Sequence, residues 1–434
     1  MTSLDDTFHA APLHDRLQED IEASGLRVHR IADEDREQAG RWLDAVSRGF
    51  LDSERNDMQR EAFFTHSAYR RKLGVYDPAA PEPEVPVATF ASWGTELTVP
   101  GGVVPACAIS SVTVSPTHRR RGILRTLMAG ELHTAAAEGY PVAVLTVSES
   151  GIYGRFGFAP AASAASWEID VVRAGWTGPD APGRIDFVSR AHGREVAPAL
   201  HDRIRPTSPG EIAMPGGHWE RFFGTRPDVE KAEERRVIQY TSPEGEVDGL
   251  AIYKVKTAED FARSSADVLF LLAATDAAYA ALWRFLLSMD LIATVRAEEL
   301  AVDEPLWWML ADQRAATITM RDHQYVRILD VPTALAARRY DVTDTVVLEV
   351  LDPLGVAGGV FVLSADGTAS VDAVDDPPVG LPLLRAGVAE LSAMLLGGVS
   401  PVTLARAGRL TADDPERFAR LFGTASAPRL SFWY

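Results

Sequence analysis

The chain has one cysteine in 434 residues, Cys107, which excludes an intramolecular disulfide and any cluster of thiolate metal ligands. That cysteine lies in the apolar run "VVPACAIS" and reads as a small core residue, not as a nucleophile. No apolar stretch is long enough to span a bilayer. The acidic opening "MTSLDDTFHAAPLHDRLQED" also lacks the basic and apolar regions of a signal peptide, so a cytoplasmic protein with no membrane partner is expected. Basic residues are in deficit: 43 Lys and Arg against 61 Asp and Glu give a formal net charge of -18. Such a balance argues against a nucleic-acid partner and suits a cationic small molecule or a basic peptide, although solubility alone accounts for it as well. HExxH, paired-histidine spacing and GxSxG are all missing, which ranks metal hydrolysis and serine esterase chemistry low and leaves no metal expected.

What is present is an ordinary globular composition, 46% hydrophobic and 24% charged, in a chain long enough for two to four domains. After an opening of some twenty residues that reads as an extension, "LRVHRI" reads as a strand and residues 33–50 as an amphipathic helix. A Pro/Glu-rich loop, the strand "VATFASWG", a turn at Pro100, Gly101 and Gly102, and a strand ending at Val114 follow. A helix over 123–138 leads to the buried strand "YPVAVLTVS". The expected divisions are one mixed α/β unit over residues 1–164, a second of similar strand and helix grammar over 165–315, and a third over 316–434 that ends in an apolar, aromatic strand.

Between the strand ending at Val114 and the helix stands "SPTHRRRGIL". A helix start carries backbone N–H groups without intrahelical partners and the positive end of the helix dipole, so this stretch offers convergent donors to an anion. Gly122 permits close approach, and the guanidinium groups suit a ligand with several phosphates. A solvated basic helix start gives the same letters.

The context resembles the GCN5-related N-acetyltransferase (GNAT) superfamily, whose coenzyme A loop runs Q/R-x-x-G-x-G/A; here it is Arg119-Arg120-Arg121-Gly122-Ile123-Leu124, with Leu124 where Gly or Ala is usual. A closer resemblance, carried by "VTVSPTHRRRGILRTLM", "GYPVAVLTVSESGIYGRFGFAPA", "ALWRFLLSMD", "VRILDVPTALAARRY" and the terminal "FWY", is to the enhanced intracellular survival (Eis) family of GNAT enzymes, aminoglycoside and lysine N-acetyltransferases. It implies an α/β (α+β) fold of tandem GNAT-like domains with mixed sheets, only the first binding acetyl-CoA, followed by a C-terminal sterol-carrier-protein-like α+β domain. It also implies a homohexamer.

The same resemblance distributes the chemistry. Acetyl-CoA would lie on the backbone of Val112, Thr113 and Val114, on Arg119 to Leu124, on Arg125, and beside Ser148 and Glu149, although the valines also read as plain strand core and Glu149 as a helix cap. Tyr153, in "GIYGRFGF", stands where GNAT enzymes keep a general acid for the leaving thiolate, against the plainer reading of an aromatic packed on the sheet. The general base implied is the terminal carboxylate of Tyr434, against a terminus that merely docks. His118 reads as shaping the loop. On the acceptor side stand Phe50, Asp52, Glu54 and Trp433, of which the acids also read as solvated charge. The expected acceptor is a polyamine-like or aminoglycoside amine. The alternatives are a protein lysine amine, or a non-catalytic module binding acyl-CoA or lipid.

Overall fold

In the computed structural model, which describes residues 3–434, the chain divides into two compact units: residues through Ala161, Gln324–Ala425 and Tyr434 form the first, and Ala162–His323 with Ser426–Trp433 the second.

The first unit opens with β1 (Arg27–Arg30), β2 (Arg71–Tyr76), β3 (Ala88–Val99) and β4 (Gly102–Val114), each antiparallel to the next. Pro100 presets one corner of the β3–β4 turn and Gly101, at φ +69°, supplies the other. The helix Ile123–Ala137 then carries the chain back, so that β5 (Val142–Thr146) pairs with β4 in parallel, and residues 324–328 add an antiparallel strand on the far side of β5. Alternation assigns the two faces. Cys107, Ile109, Ala143 and Leu145 pack on Leu127, Met128 and Leu132 of that helix, whereas Ala91 faces Trp42 of the helix Arg36–Gly49. Cys107 is a buried core residue, its thiol pushed well above the usual range by burial.

The opening residues, read as an extension, fold into the helices Ser3–Ala10 and Asp15–Ala23, which send Phe8, Leu17 and Ile21 into the same core. Arg71 fixes them in place. Fully buried, it pairs with Glu131 at 3.1 Å and donates to the carbonyls of Ala11 and Pro12, where the two helices meet. Removing either partner would strand a buried charge, at a cost of about 3–5 kcal/mol.

In the second unit, β6 (Ala159–Asp170), β7 (Arg184–Val188), β8 (Arg235–Thr241), β9 (Val247–Lys256), β10 (Ser264–Ala273) and β11 (Ile292–Leu300) lie in the order β6-β11-β10-β9-β8-β7. β10 and β11 are parallel and joined by the helix Asp276–Leu287, whose Leu282, Trp283 and Leu286 pack on Ile238, Ala251 and Tyr253. β12 (Ala316–Ile328) follows and contains the segment that pairs with β5. The remaining strands, β13 (Tyr340–Leu351), β14 (Gly359–Val374), β15 (Leu383–Gly387) and β16 (Leu410–Ala412), form a separate sheet in the order β14-β13-β15-β16. Buried Arg338 donates to the carbonyls of Met394, Leu395 and Phe422, gathering the ends of the helices around this sheet. Among the described residues, no helix is long and apolar enough to cross a membrane.

Candidate functional site

The site begins where β4 and β5 part. Their pairing runs from Ala106 with Val142 to Ile109 with Leu145 and stops there, while β4 continues to Val114. The cause is local. Ser111 takes φ +53°, a left-handed conformation that costs a residue with a side chain about 1–3 kcal/mol, and the β3–β4 register slips at the same place. Thr89 stitches the bulge, its hydroxyl donating to Ser111 O at 2.8 Å and lying 2.8 Å from Thr113 Oγ1. The β5-side backbone groups of Val112, Thr113 and Val114 are thereby left without a strand partner, which is what a pantetheine chain needs in order to pair with them. On the opposite face Gly49 touches the same spot: a Cβ there would lie 2.4 Å from Thr113 Cβ.

From the fork the chain passes through "SPTHRRRG" to the helix. Gly122 is its N-cap at φ +83° and offers no side chain to the first N–H groups, so these stay open to a ligand. His118 shapes the loop, as its sequence position suggests. Its Nδ1 is 2.8 Å from Thr117 Oγ1 and its Nε2 2.9 Å from Asp77, whose carboxyl is held below the usual range by that hydrogen bond and by the backbone N–H of Ala79. Arg119 reaches back to Val114 O at 3.4 Å, and Arg120 adopts φ +63°.

Fork and loop open into one cavity of about 490 Å³. Its walls include Val112, Thr113, Val114, Arg119, Arg120, Gly122, Ile123, Leu124, Arg125, Ser148, Glu149 and Tyr153, all expected from the sequence, together with Phe50. The wall also contains Gly49, His118, Ile152, Arg155 and Phe156, none of which the sequence reading had placed on the cofactor. Arg121 is not in the wall; it points to Asp77 at 3.9 Å. Asp52 and Glu54 are exposed and also outside it, and Asp52 pairs with Arg55. Trp433, 38% exposed, belongs to the second unit, where its carbonyl accepts from Arg221 at 3.4 Å and its ring lies 5.4 Å from that of His323.

Tyr153 begins a single 3-10 turn, Tyr153–Phe156, closed by Gly157 at φ +83°. Arg327 props this turn, donating to Phe156 O at 2.8 Å and pairing with Asp352 at 2.7 Å. The Tyr153 ring lies edge-on to Phe158, and burial first, then the nearby Glu149 charge, push its phenol up to about 12. The phenol is therefore a protonated donor throughout the neutral range.

The chain's last residue returns to this unit. Tyr434 is 8% exposed, its terminal oxygen accepts from Thr146 Oγ1 at 3.0 Å, and its ring meets Trp93 edge-on at 5.4 Å. Thr146 is the β5 residue next after Leu145, so the carboxylate lies at the base of the fork. Nothing in the sequence marks Thr146, since a threonine ending an apolar strand is an ordinary β-former. No group of three residues suited to hold a metal occurs among the described residues.

This geometry can be set beside known proteins. Acetyltransferase (GNAT) domain families match residues 27–161 and 210–328, and a sterol carrier protein domain family matches 331–431. An uncharacterized N-acetyltransferase of Streptomyces avermitilis is 41% identical, covering 85% of this chain and 89% of its own. The N-acetyltransferase Eis of Mycobacterium tuberculosis is 36% identical, covering 80% of this chain and 84% of its own. The crystal structure of Eis1 from Mycobacterium abscessus superposes with a TM-score of 0.79 at 28% identity, covering 94% of this chain and 100% of that one. A tandem pair of GNAT domains with a sterol-carrier-like C-terminal domain is thus the fold, and the chain belongs to the Eis family of GNAT N-acetyltransferases.

Proposed function

We propose that the protein transfers acetyl from acetyl-CoA directly to an amine of a cationic acceptor, of the aminoglycoside or lysine type, at the fork of the first unit. The observation that carries this reading is the single cavity shared by the arginine-glycine loop, the unpaired end of β4 and Tyr153. The open helix start and Arg119, Arg120 and Arg125 suit the phosphates of the cofactor, and Val112 to Val114 suit its pantetheine arm. The family supplies the acetyl-CoA chemistry.

In the transfer the acceptor nitrogen bonds to the thioester carbon, the carbon–sulfur bond breaks, the nitrogen loses a proton and the sulfur gains one. The Tyr434 carboxylate takes the first proton and the Tyr153 phenol gives the second; solvent returns the proton to the phenol. A phenol near 12 is a weaker acid than a free thiol at about 8.5, so the donation is matched only when the thiolate leaves into the same desolvated surroundings, which raise its own pKa too. An acceptor amine has a reference pKa of about 10.4 and arrives protonated, so one proton first leaves to solvent, and the neutral amine that attacks gives its second proton to the carboxylate. The chain's acid excess favours such cations over anionic acceptors.

The test is thiol release from acetyl-CoA with a kanamycin-type aminoglycoside, with a lysine peptide, and with neither. Amine-dependent release with the aminoglycoside is expected. Release with the peptide alone would make the protein a lysine acetyltransferase, and release with neither amine would defeat the reading. Adding a few residues after Tyr434 should abolish transfer while acetyl-CoA still binds, and full turnover in that extended protein would remove the carboxylate from the mechanism.

A further inference from the structure

We infer that Thr146 is the positioning residue for the terminal carboxylate; the inference rests on reading that carboxylate as the base. β5 is apolar and fully buried from Val142 to Leu145, and it changes character only at Thr146. In register with it on the neighbouring strand stands Gln324, while the pairs beneath on the same face are Val144 with Val326 and Val142 with Ile328. Directly opposed residues share a face, so a threonine and a glutamine stand side by side at the head of an otherwise hydrophobic ladder. Buried polar groups are unfavourable there unless something engages them.

What engages them is the last residue of the chain. Thr146 donates to the terminal oxygen at 3.0 Å, the Tyr434 phenol lies beside Gln324, and the Tyr434 ring rests edge-on against Trp93. A free chain end would rotate about its last bonds. Held at the carboxylate and the ring, it cannot. The hydroxyl binds one carboxylate oxygen and so fixes the plane of the group at the point where β4 and β5 separate. Proton transfer depends steeply on that orientation, because donor and acceptor must stand within hydrogen-bond reach as the bond forms.

Thr146→Val keeps the branched shape and removes only the hydroxyl. It should lower kcat by about 10- to 100-fold while leaving the KM for acetyl-CoA and its calorimetric affinity unchanged, and Thr146→Ser should recover kcat to within about threefold of the original. Equal losses in the valine and serine variants would assign Thr146 to packing and overturn the inference, as would a valine variant with full kcat. Should the valine variant fail to bind acetyl-CoA, Thr146→Ala makes the same comparison with serine. The protein extended beyond Tyr434 separates the two claims. If the extension abolishes turnover but Thr146→Val does not lower it, the base stands and the positioning role falls. If the extended protein turns over normally, both fall.

Discussion

The two GNAT units carry the same strand–helix–strand core but finish it differently. In the first, residues 115–122 lie between β4 and the helix; in the second, Ala274 and Thr275 alone separate β10 from its helix. The fork itself survives in both: β10 and β11 pair only as far as Val268 with Ala297, β10 runs on to Ala273, and its register with β9 slips at that point, as that of β4 with β3 does. What differs is the helix start. Gly122 leaves the first helix open to an anion, whereas Thr275 closes the second with its own side chain, accepting from Ala278 N at 3.2 Å. The short helical turn after the second parallel strand differs too, holding Tyr153 in one unit and Leu306 and Trp307 in the other. An indole N–H does not titrate as a phenol does. Two units of one fold can therefore share a strand geometry while only one keeps a helix start open to an anion.

The contrast at the turn gives the largest expected effect. Tyr153→Phe keeps the ring and its contact with Phe158, and should lower kcat by about 10²- to 10⁴-fold with acetyl-CoA affinity unchanged, as befits an acid that acts only in the transition state. Equal loss of binding and turnover would make Tyr153 a packing residue, no different in kind from Trp307. The pH profile sharpens the point. With its pKa raised to about 12, Tyr153 stays protonated well past the pH near 10 where a free phenol half-ionises, so its ionisation should not reduce kcat below about pH 11. A basic limb at pH 9–10 that vanishes in Tyr153→Phe would contradict this assignment.

Next in size is the helix start. Gly122→Asp would give the first helix a self-capping carboxylate, as Thr275 caps the second, and would set a negative charge where the proposed site takes the phosphates. A Cβ at Gly122 meets nothing within 4 Å, so the change is tolerated sterically apart from the left-handed φ. Acetyl-CoA affinity should fall about 100-fold with the fold intact. Arg120→Glu should cost less, about tenfold, since an exposed side chain contributes less than the helix start. Unchanged affinity in both variants, measured by calorimetry, would place the cofactor elsewhere.

Much of this contrast could be read from the letters. "RRRGIL" and "IYGRFGF" point to their chemistry through the family they resemble, and the apolar "LSFWY" announces a buried terminus. The bulge at Ser111 could not be read, because serine carries no preference for positive φ and the hydroxyl that holds the bulge, that of Thr89, lies on the next strand. Nor could the pairing of Gln324 with Thr146, a contact between strands far apart in the chain whose register leaves no local signal. Arg71 and Glu131, which no motif marks, lie buried and anchor the opening helices. Local motifs were legible; the non-local packing around them was not.

The smallest predicted effect tests the capped side of the comparison. Thr275→Ala removes the hydroxyl that satisfies Ala278 N and opens the second helix as Gly122 opens the first. The loss of a cap costs about 0.5–2 kcal/mol, so a lower midpoint in urea unfolding with an unchanged slope is expected. Opening the helix should confer no affinity for coenzyme A, because the two-residue connection supplies neither arginine nor glycine and Ala274 N is already bonded to Asp248 O at 2.8 Å. Calorimetry on Thr275→Ala should therefore give the same single-site stoichiometry as the parent. A second site appearing in that variant would mean that the cap, and not the arginine-glycine loop, decides whether a unit of this fold takes coenzyme A.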